Sequence, residues 1–294
     1  MAAWHGVVVA SALPFNDDLS VDYGACADHV RWLAENGCHG ITPSGSLGEY
    51  QTLTPEERAK VVEIVVEAAP EGFSVVPGTG AYGSREARYW AEQAKDAGAH
   101  AVLQLPPNAY RTDTRAVFEH FREVAKAGIP VVAYNNPHDT KTDLTPETVA
   151  QLHKEGLIVA VKEFSGDVRR IYEIAELAPD LDVLVGTDDV VVELAIAGAK
   201  GWIAGYPNAL PKSCVALWNA AVAKDLDKAL PLYRELHPLL RWDSKPEFVQ
   251  AIKYSMDLVG RKGGASRAPR LPLAEAAAAE VRLSTEKALA AGHR

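Results

Sequence analysis

The chain has 294 residues, 48% of them hydrophobic, enough to bury one large α/β core or two smaller ones. A net charge of −9 and a pI near 5.5 argue against a nucleic-acid partner, which needs a basic face. Three scattered cysteines (Cys26, Cys38, Cys214) with no CxxC spacing argue against a disulfide framework and point to a reducing, cytoplasmic setting. No apolar run approaches the length of a membrane span.

The first apolar run, "GVVVA" (6–10), lacks a preceding basic segment and reads as a strand rather than a signal peptide. It is followed by "GITPSG" (40–45), "FSVVPGTG" (73–80), "AVLQLPP" (101–107) and "PVVAYNNP" (130–137). Then come "LIVAVKEF" (157–164), "LDVLVGT" (181–187) and "GWIAGYPN" (201–208). These eight runs are apolar without strict alternation, as strands covered on both faces should be.

Helical patterns lie between them. Thr54 is a candidate cap, with Pro55 at the first helical position and Glu56 and Glu57 in the first turn; this helix runs to Pro70. A second runs from Ser84 to Gly98, and a third, from Thr145 to Gly156, repeats the Thr-Pro start. Eight strands alternating with helices predict an α/β fold with a parallel sheet closed into a (β/α)8 TIM barrel. After the eighth helix, "PKSCVALWNAAVA", the chain continues through three helical segments broken by the loop at 260–272. The expected organisation is a barrel over 1–223 and a helical extension over 224–294 packed on it.

In such barrels, reactive groups sit at the C-terminal ends of the strands. Lys162 lies near the end of the sixth. It is either a lysine at a strand edge paired with Glu163 or another acid, or an amine held dry enough to lose its proton and attack a carbonyl. Tyr134 ends the fifth strand and is either a packed ring or a proton donor and acceptor. The loop after the second strand, with Gly45, Ser46 and Gly48, is either a plain turn or a set of donors for a carboxylate. Each signal is weak by itself; their order on strands two, five and six carries more.

The motifs "GSLGE" (45–49), "YNNP" (134–137), "VKEFSGD" (161–167) and "GTDD" (186–189) resemble the dihydrodipicolinate synthase/N-acetylneuraminate lyase family of class I aldolases over nearly the whole chain. The resemblance implies a barrel, a homotetramer (a dimer of dimers), no metal or cofactor, and a small carboxylate substrate. It implies that Lys162 forms a Schiff base, that Tyr134 relays protons, and that Ser46 and the backbone of Leu47 hold the carboxylate. Ile203 falls where the family lines the lysine pocket.

Three departures bear on the substrate. The family's synthases carry two adjacent hydroxyl residues where this chain has Ser46 and Leu47. They place an arginine five residues after the tyrosine, where this chain has Asp139, whose charge would repel a second carboxylate. They also have a tyrosine after strand four; Ala109 stands there, with Tyr110 one step on. The motifs "YNNP", "KEFSGDVRR" and "VGTDD" resemble the branch that deaminates 1-pyrroline-4-hydroxy-2-carboxylate in hydroxyproline breakdown. That branch implies that Asn135, Asn136, His138 and Asp139 meet the substrate's hydroxyl or its released amine.

Other readings remain: a pyruvate-dependent aldolase of the 2-keto-3-deoxy sugar acid type, 4-hydroxy-tetrahydrodipicolinate synthase, or a ligand-binding regulator on the same barrel. "GTGAYG" (78–83) matches a dinucleotide-binding pattern but sits on the third strand without the acidic residue that should follow, so a tight turn is the better reading. "TDD" (187–189) reads as a helix cap rather than a metal site.

Overall fold

The computed structural model of the chain describes residues 2–110 and 112–294. The eight strands are β1 (Gly6–Ala10), β2 (Gly40–Thr42), β3 (Ser74–Val75), β4 (Val102–Gln104), β5 (Val131–Asn135), β6 (Ala160–Glu163), β7 (Asp182–Val185) and β8 (Gly201–Ala204). All pair in parallel, in the order β3-β2-β1-β8-β7-β6-β5-β4. Backbone bonds from His100 N to Val75 O (3.0 Å), Leu103 N to Pro77 O (2.8 Å) and Thr79 N to Leu103 O (2.9 Å) close the ring between β3 and β4. The expected (β/α)8 barrel is therefore the observed one. The strands are shorter than the apolar runs, because the end of each run turns into the loop at the barrel mouth.

Around the barrel stand α1 (Tyr23–Glu35), α2 (Pro55–Ala68), α3 (Ser84–Asp96) and α4 (Thr114–Ala125). A one-turn α5 (Pro137–Thr140) follows β5, and the ring continues with α6 (Pro146–Lys154), α7 (Arg170–Leu177), α8 (Val191–Ala197) and α9 (Pro211–Val222). Thr54 caps α2 through Glu57 N at 3.2 Å, while the Glu57 carboxylate returns to Thr54 N at 3.0 Å, so both orphan amides are satisfied. Ser84 begins α3 without capping it: Gly83 holds that position and the Ser84 hydroxyl pairs with His120 Nδ1 at 3.0 Å.

Beyond the ring lie α10 (Leu226–Leu240), α11 (Phe248–Leu258) and α12 (Glu275–Ala290). α10 packs on α9, and α12 packs on both α10 and α11. Among the described residues no helix is long and apolar enough to cross a membrane.

Side chains alternate across each strand, and this decides what reaches the barrel interior. Val8, Val132, Ala160, Leu184 and Ile203 form an inner cluster with Tyr134. Val7, Val9, Val131, Ala133, Val161, Val183 and Trp202 face the helices. Ala160 points inward and Val161 outward, so Lys162 points inward.

Candidate active site

Lys162 is 5% exposed, with its Nζ 4.3 Å from the centroid of the Tyr134 ring and 5.7 Å from that of Phe164. Burial pushes its pKa down to about 8, against the opposing pull of Asp243 and Asp188. A sizeable share of the amine is therefore neutral near pH 8. Glu163, one residue on, faces the other way. It accepts Ser165 N at 2.6 Å and Asn135 Nδ2 at 3.1 Å, and lies 3.8 Å from Arg170 Nη1. It is the register partner of Asn135 and has no bond to the lysine. Asn135, expected near the substrate, belongs to this outward network; its Oδ1 accepts Leu144 N at 2.9 Å.

Tyr134 is the register partner of Lys162 and is buried. Its hydroxyl accepts Asn136 Nδ2 at 3.3 Å, and burial keeps the phenol protonated well above the usual tyrosine range. The same Asn136 amide donates to Asp139 Oδ2 at 2.8 Å, and Asp139 N donates to Asn136 Oδ1 at 3.2 Å. Proline at the first position of α5 and Asn136 as its cap make this turn, which aims Asn136 and Asp139 at the mouth. His138 Nε2 meets Ser165 O at 3.3 Å.

The loop after β2 is held in two left-handed turns, at Ser44 (φ 56°) and Glu49 (φ 52°). Its anchor is Glu49, fully buried, which accepts Lys253 Nζ at 3.1 Å and Arg267 N at 3.0 Å. Lys253 also donates to Leu13 O at 3.0 Å and Ala265 O at 2.6 Å. The "GTGAYG" run lies against the same loop: a Cβ on Gly78 would stand 2.4 Å from Ser44 O. The glycine there permits close backbone approach, as a tight turn requires.

One cavity of about 830 Å³ joins these pieces. Gly45, Ser46 and Leu47 line one side, Tyr134, Asn136, His138 and Asp139 another, and Lys162 and Ile203 the floor. Tyr110 is 65% exposed and is not part of this lining. Arg58 extends the cavity: it is stacked between Trp90 (4.4 Å) and Tyr50 (5.0 Å) and donates to Gly78 O at 2.9 Å and Gly80 O at 3.1 Å.

Two acidic residues beside the lysine escaped the sequence reading. Asp188 does not cap a helix. It is fully buried and accepts Trp202 Nε1 at 2.9 Å, Gly205 N at 3.1 Å and Tyr206 N at 2.8 Å. Thr187 holds the cap position, with no side-chain bond. Burial raises the Asp188 carboxyl to about 6, with those bonds and Lys162 opposing. Asp243, 8% exposed, enters from the loop between α10 and α11 and lines the cavity. Burial and the nearby Asp188 raise its pKa well above the usual range. "GTDD" was the available signal for Asp188; "RWDSKP" carries no signal for Asp243.

A closed barrel with a buried, partly neutral amine beside a protonated phenol defines a class I lyase, an enzyme that works through an amine–carbonyl adduct. The chain belongs to the dihydrodipicolinate synthetase family, whose model matches residues 3–288. It is 36% identical over 282 residues (95% of each chain) to the 4-hydroxy-tetrahydrodipicolinate synthase of Methanothrix thermoacetophila. It is 35% identical to the protein of that name from Methanosphaerula palustris, covering 96% of this chain and 98% of that one. Among solved structures, the dihydrodipicolinate synthase of Aquifex aeolicus matches with a TM-score of 0.92 at 30% identity, covering 97% and 98% of the two chains. A structure described as the first monomeric dihydrodipicolinate synthase variant matches with a TM-score of 0.91 at 25% identity, covering 98% and 97%.

Proposed function

We propose that Lys162 forms the Schiff base and that the substrate is a small cyclic imino acid with one carboxylate, 1-pyrroline-4-hydroxy-2-carboxylate being the best fit. With one water taken up, it yields 2-oxoglutarate semialdehyde and ammonia. The neutral Lys162 amine adds to the ring C=N carbon, and the ring nitrogen departs as a primary amine, which opens the ring. Tyr134 accepts a proton from the next carbon as it passes its own to that amine, so the phenol stays neutral throughout. Ser46, Gly45 and the backbone of Leu47 hold the carboxylate, and Ile203 packs against the adduct.

The observation that carries this reading is Asp139, which lines the cavity and is tied through Asn136 to the Tyr134 hydroxyl. A carboxylate there opposes a second substrate carboxylate and favours the ammonium released by ring opening. The relatives' names favour a second reading, condensation onto enzyme-bound pyruvate, which also starts at Lys162.

Purified protein with the hydroxypyrroline should release ammonia, and Lys162→Ala should not. Equal release from both sinks the Lys162 assignment, and no release from the wild type sinks the substrate. The proposal includes a homotetramer, to be checked by light scattering, and a division into a barrel (1–223) and an extension (224–294) that folds with it.

A further inference from the structure

Going around the barrel, the strand order places Tyr134 (β5) on one side of Lys162 (β6) and the groups after β7 and β8 on the other. That second side carries Asp188 after β7 and Gly205 after β8, and Asp243 closes over it from the helical extension. A Cβ on Gly205 would stand 2.7 Å from Asp243 Oδ1 and 3.4 Å from Asp188 Oδ2, so glycine leaves room for both carboxyls. Their surroundings differ. Asp188 is spent on protein donors: the Trp202 indole, Gly205 N and Tyr206 N. Among the described residues, Asp243 Oδ2 accepts only the Asp188 N–H, at 3.3 Å, and no donor reaches Oδ1, although the residue is buried and lines the cavity. Lys162 is the one opposing charge on Asp243, and it is outweighed by burial and by the Asp188 carboxyl beside it, so of two buried carboxyls this close Asp243, with fewer donors, holds the proton.

We propose that Asp243 is a catalytic acid of this site, handing its proton to a hydroxyl that leaves the substrate two carbons from the Schiff-base carbon. This rests on the deaminase reading. Once the carbon between them has lost its proton, the Lys162 adduct is an enamine. The nitrogen lone pair re-forms C=N⁺, and the enamine electrons form a new C=C bond. The C–O bond breaks with its electron pair on oxygen, and that oxygen takes the Asp243 proton and departs as water. Asp243 is left as a carboxylate beside the cationic imine, which favours the product of the step, and it regains a proton from solvent before the next turnover. The extension thus supplies a working group that the barrel lacks.

Asp243→Asn keeps the shape and the Asp188 contact but has no acidic proton. Two readouts separate the cases: borohydride trapping of pyruvate at Lys162, and ammonia release from the hydroxypyrroline. Asp243→Asn should trap pyruvate at least to the wild-type extent, because losing the pull of Asp243 leaves the Lys162 amine no less neutral. It should release ammonia about 100-fold or more slowly, and should accumulate a trapped adduct that retains the hydroxyl. Ammonia release within about threefold of wild type would overturn the proposal, taking the 100-fold lower limit for a proton donor as reference. So would a parallel loss of pyruvate trapping, because Asp243 would then be supporting Lys162 instead of acting on substrate. A wild-type protein that traps pyruvate but releases no ammonia overturns the substrate reading and this step with it.

Discussion

Tyr134 and Lys162 are register partners on adjacent parallel strands, with the amine 4.3 Å from the phenol ring centroid. The period-2 geometry of β5 and β6 turns both inward at the same level, while their neighbours Asn135 and Glu163 pair on the outer face. Burial opposes the ammonium form while the Asp243 and Asp188 carboxyls favour it, and burial is the larger effect, since the pKa falls to about 8.

Adduct formation should follow that value. The rate of borohydride-trappable pyruvate adduct should rise with pH and level off above about 8. A rate that is flat from pH 6 to 9, a span bracketing that value, would rule out a neutral amine as the attacking form. Stability moves the same way. The unfolded lysine titrates near 10.5, so between about 8 and 10.5 the unfolded chain binds the extra proton and stability rises with pH. Lys162→Met should therefore raise stability at pH 7 by up to about 3 kcal/mol, read as a higher Tm.

Asp139 should set charge preference. Asp139→Asn should lower kcat/KM for the cyclic imine by about 10-fold or more, one charge contact at about 4 Å being worth roughly 1 kcal/mol in water and up to about 4 kcal/mol near a protein surface. Asp139→Arg should weaken it further and admit dicarboxylates. Steady-state kinetics on both substrate types checks this, and an unchanged preference in Asp139→Arg contradicts it.

The buried Glu49–Lys253 pair ties the Ser46 loop to α11. Removing one partner leaves an uncompensated buried charge, at a cost of about 3–5 kcal/mol. Lys253→Met should show that loss in chemical denaturation, and Glu49→Gln with Lys253→Met should recover much of it. Because Glu49 anchors the loop, Glu49→Gln should also raise KM more than it lowers kcat.

Gly78→Ala forces a methyl to within 2.4 Å of Ser44 O unless the loop moves. It should cost about 1–3 kcal/mol, as overpacking does. It should also raise KM through the displaced Gly45–Leu47 segment. Wild-type values of both would show that this loop adjusts freely.

Residue order alone determined the eight strands, the Thr-Pro helix starts and the placing of Lys162, Tyr134 and the Ser46 loop at strand ends. These signals are local: apolar runs, caps and glycines act within a few residues of themselves. It also ran long at strand ends, since an apolar run does not mark where the chain leaves the sheet for the cavity.

Tertiary structure decided the rest. Only strand register separates Lys162 from Glu163, and only closure of the barrel makes Asp188 a buried carboxyl rather than a cap. Asp243 reaches the cavity from 81 positions beyond Lys162, on a loop whose own residues say nothing of it. Charge and proton affinity at this site depend on what is desolvated together, a property of packing between distant segments that no local pattern encodes.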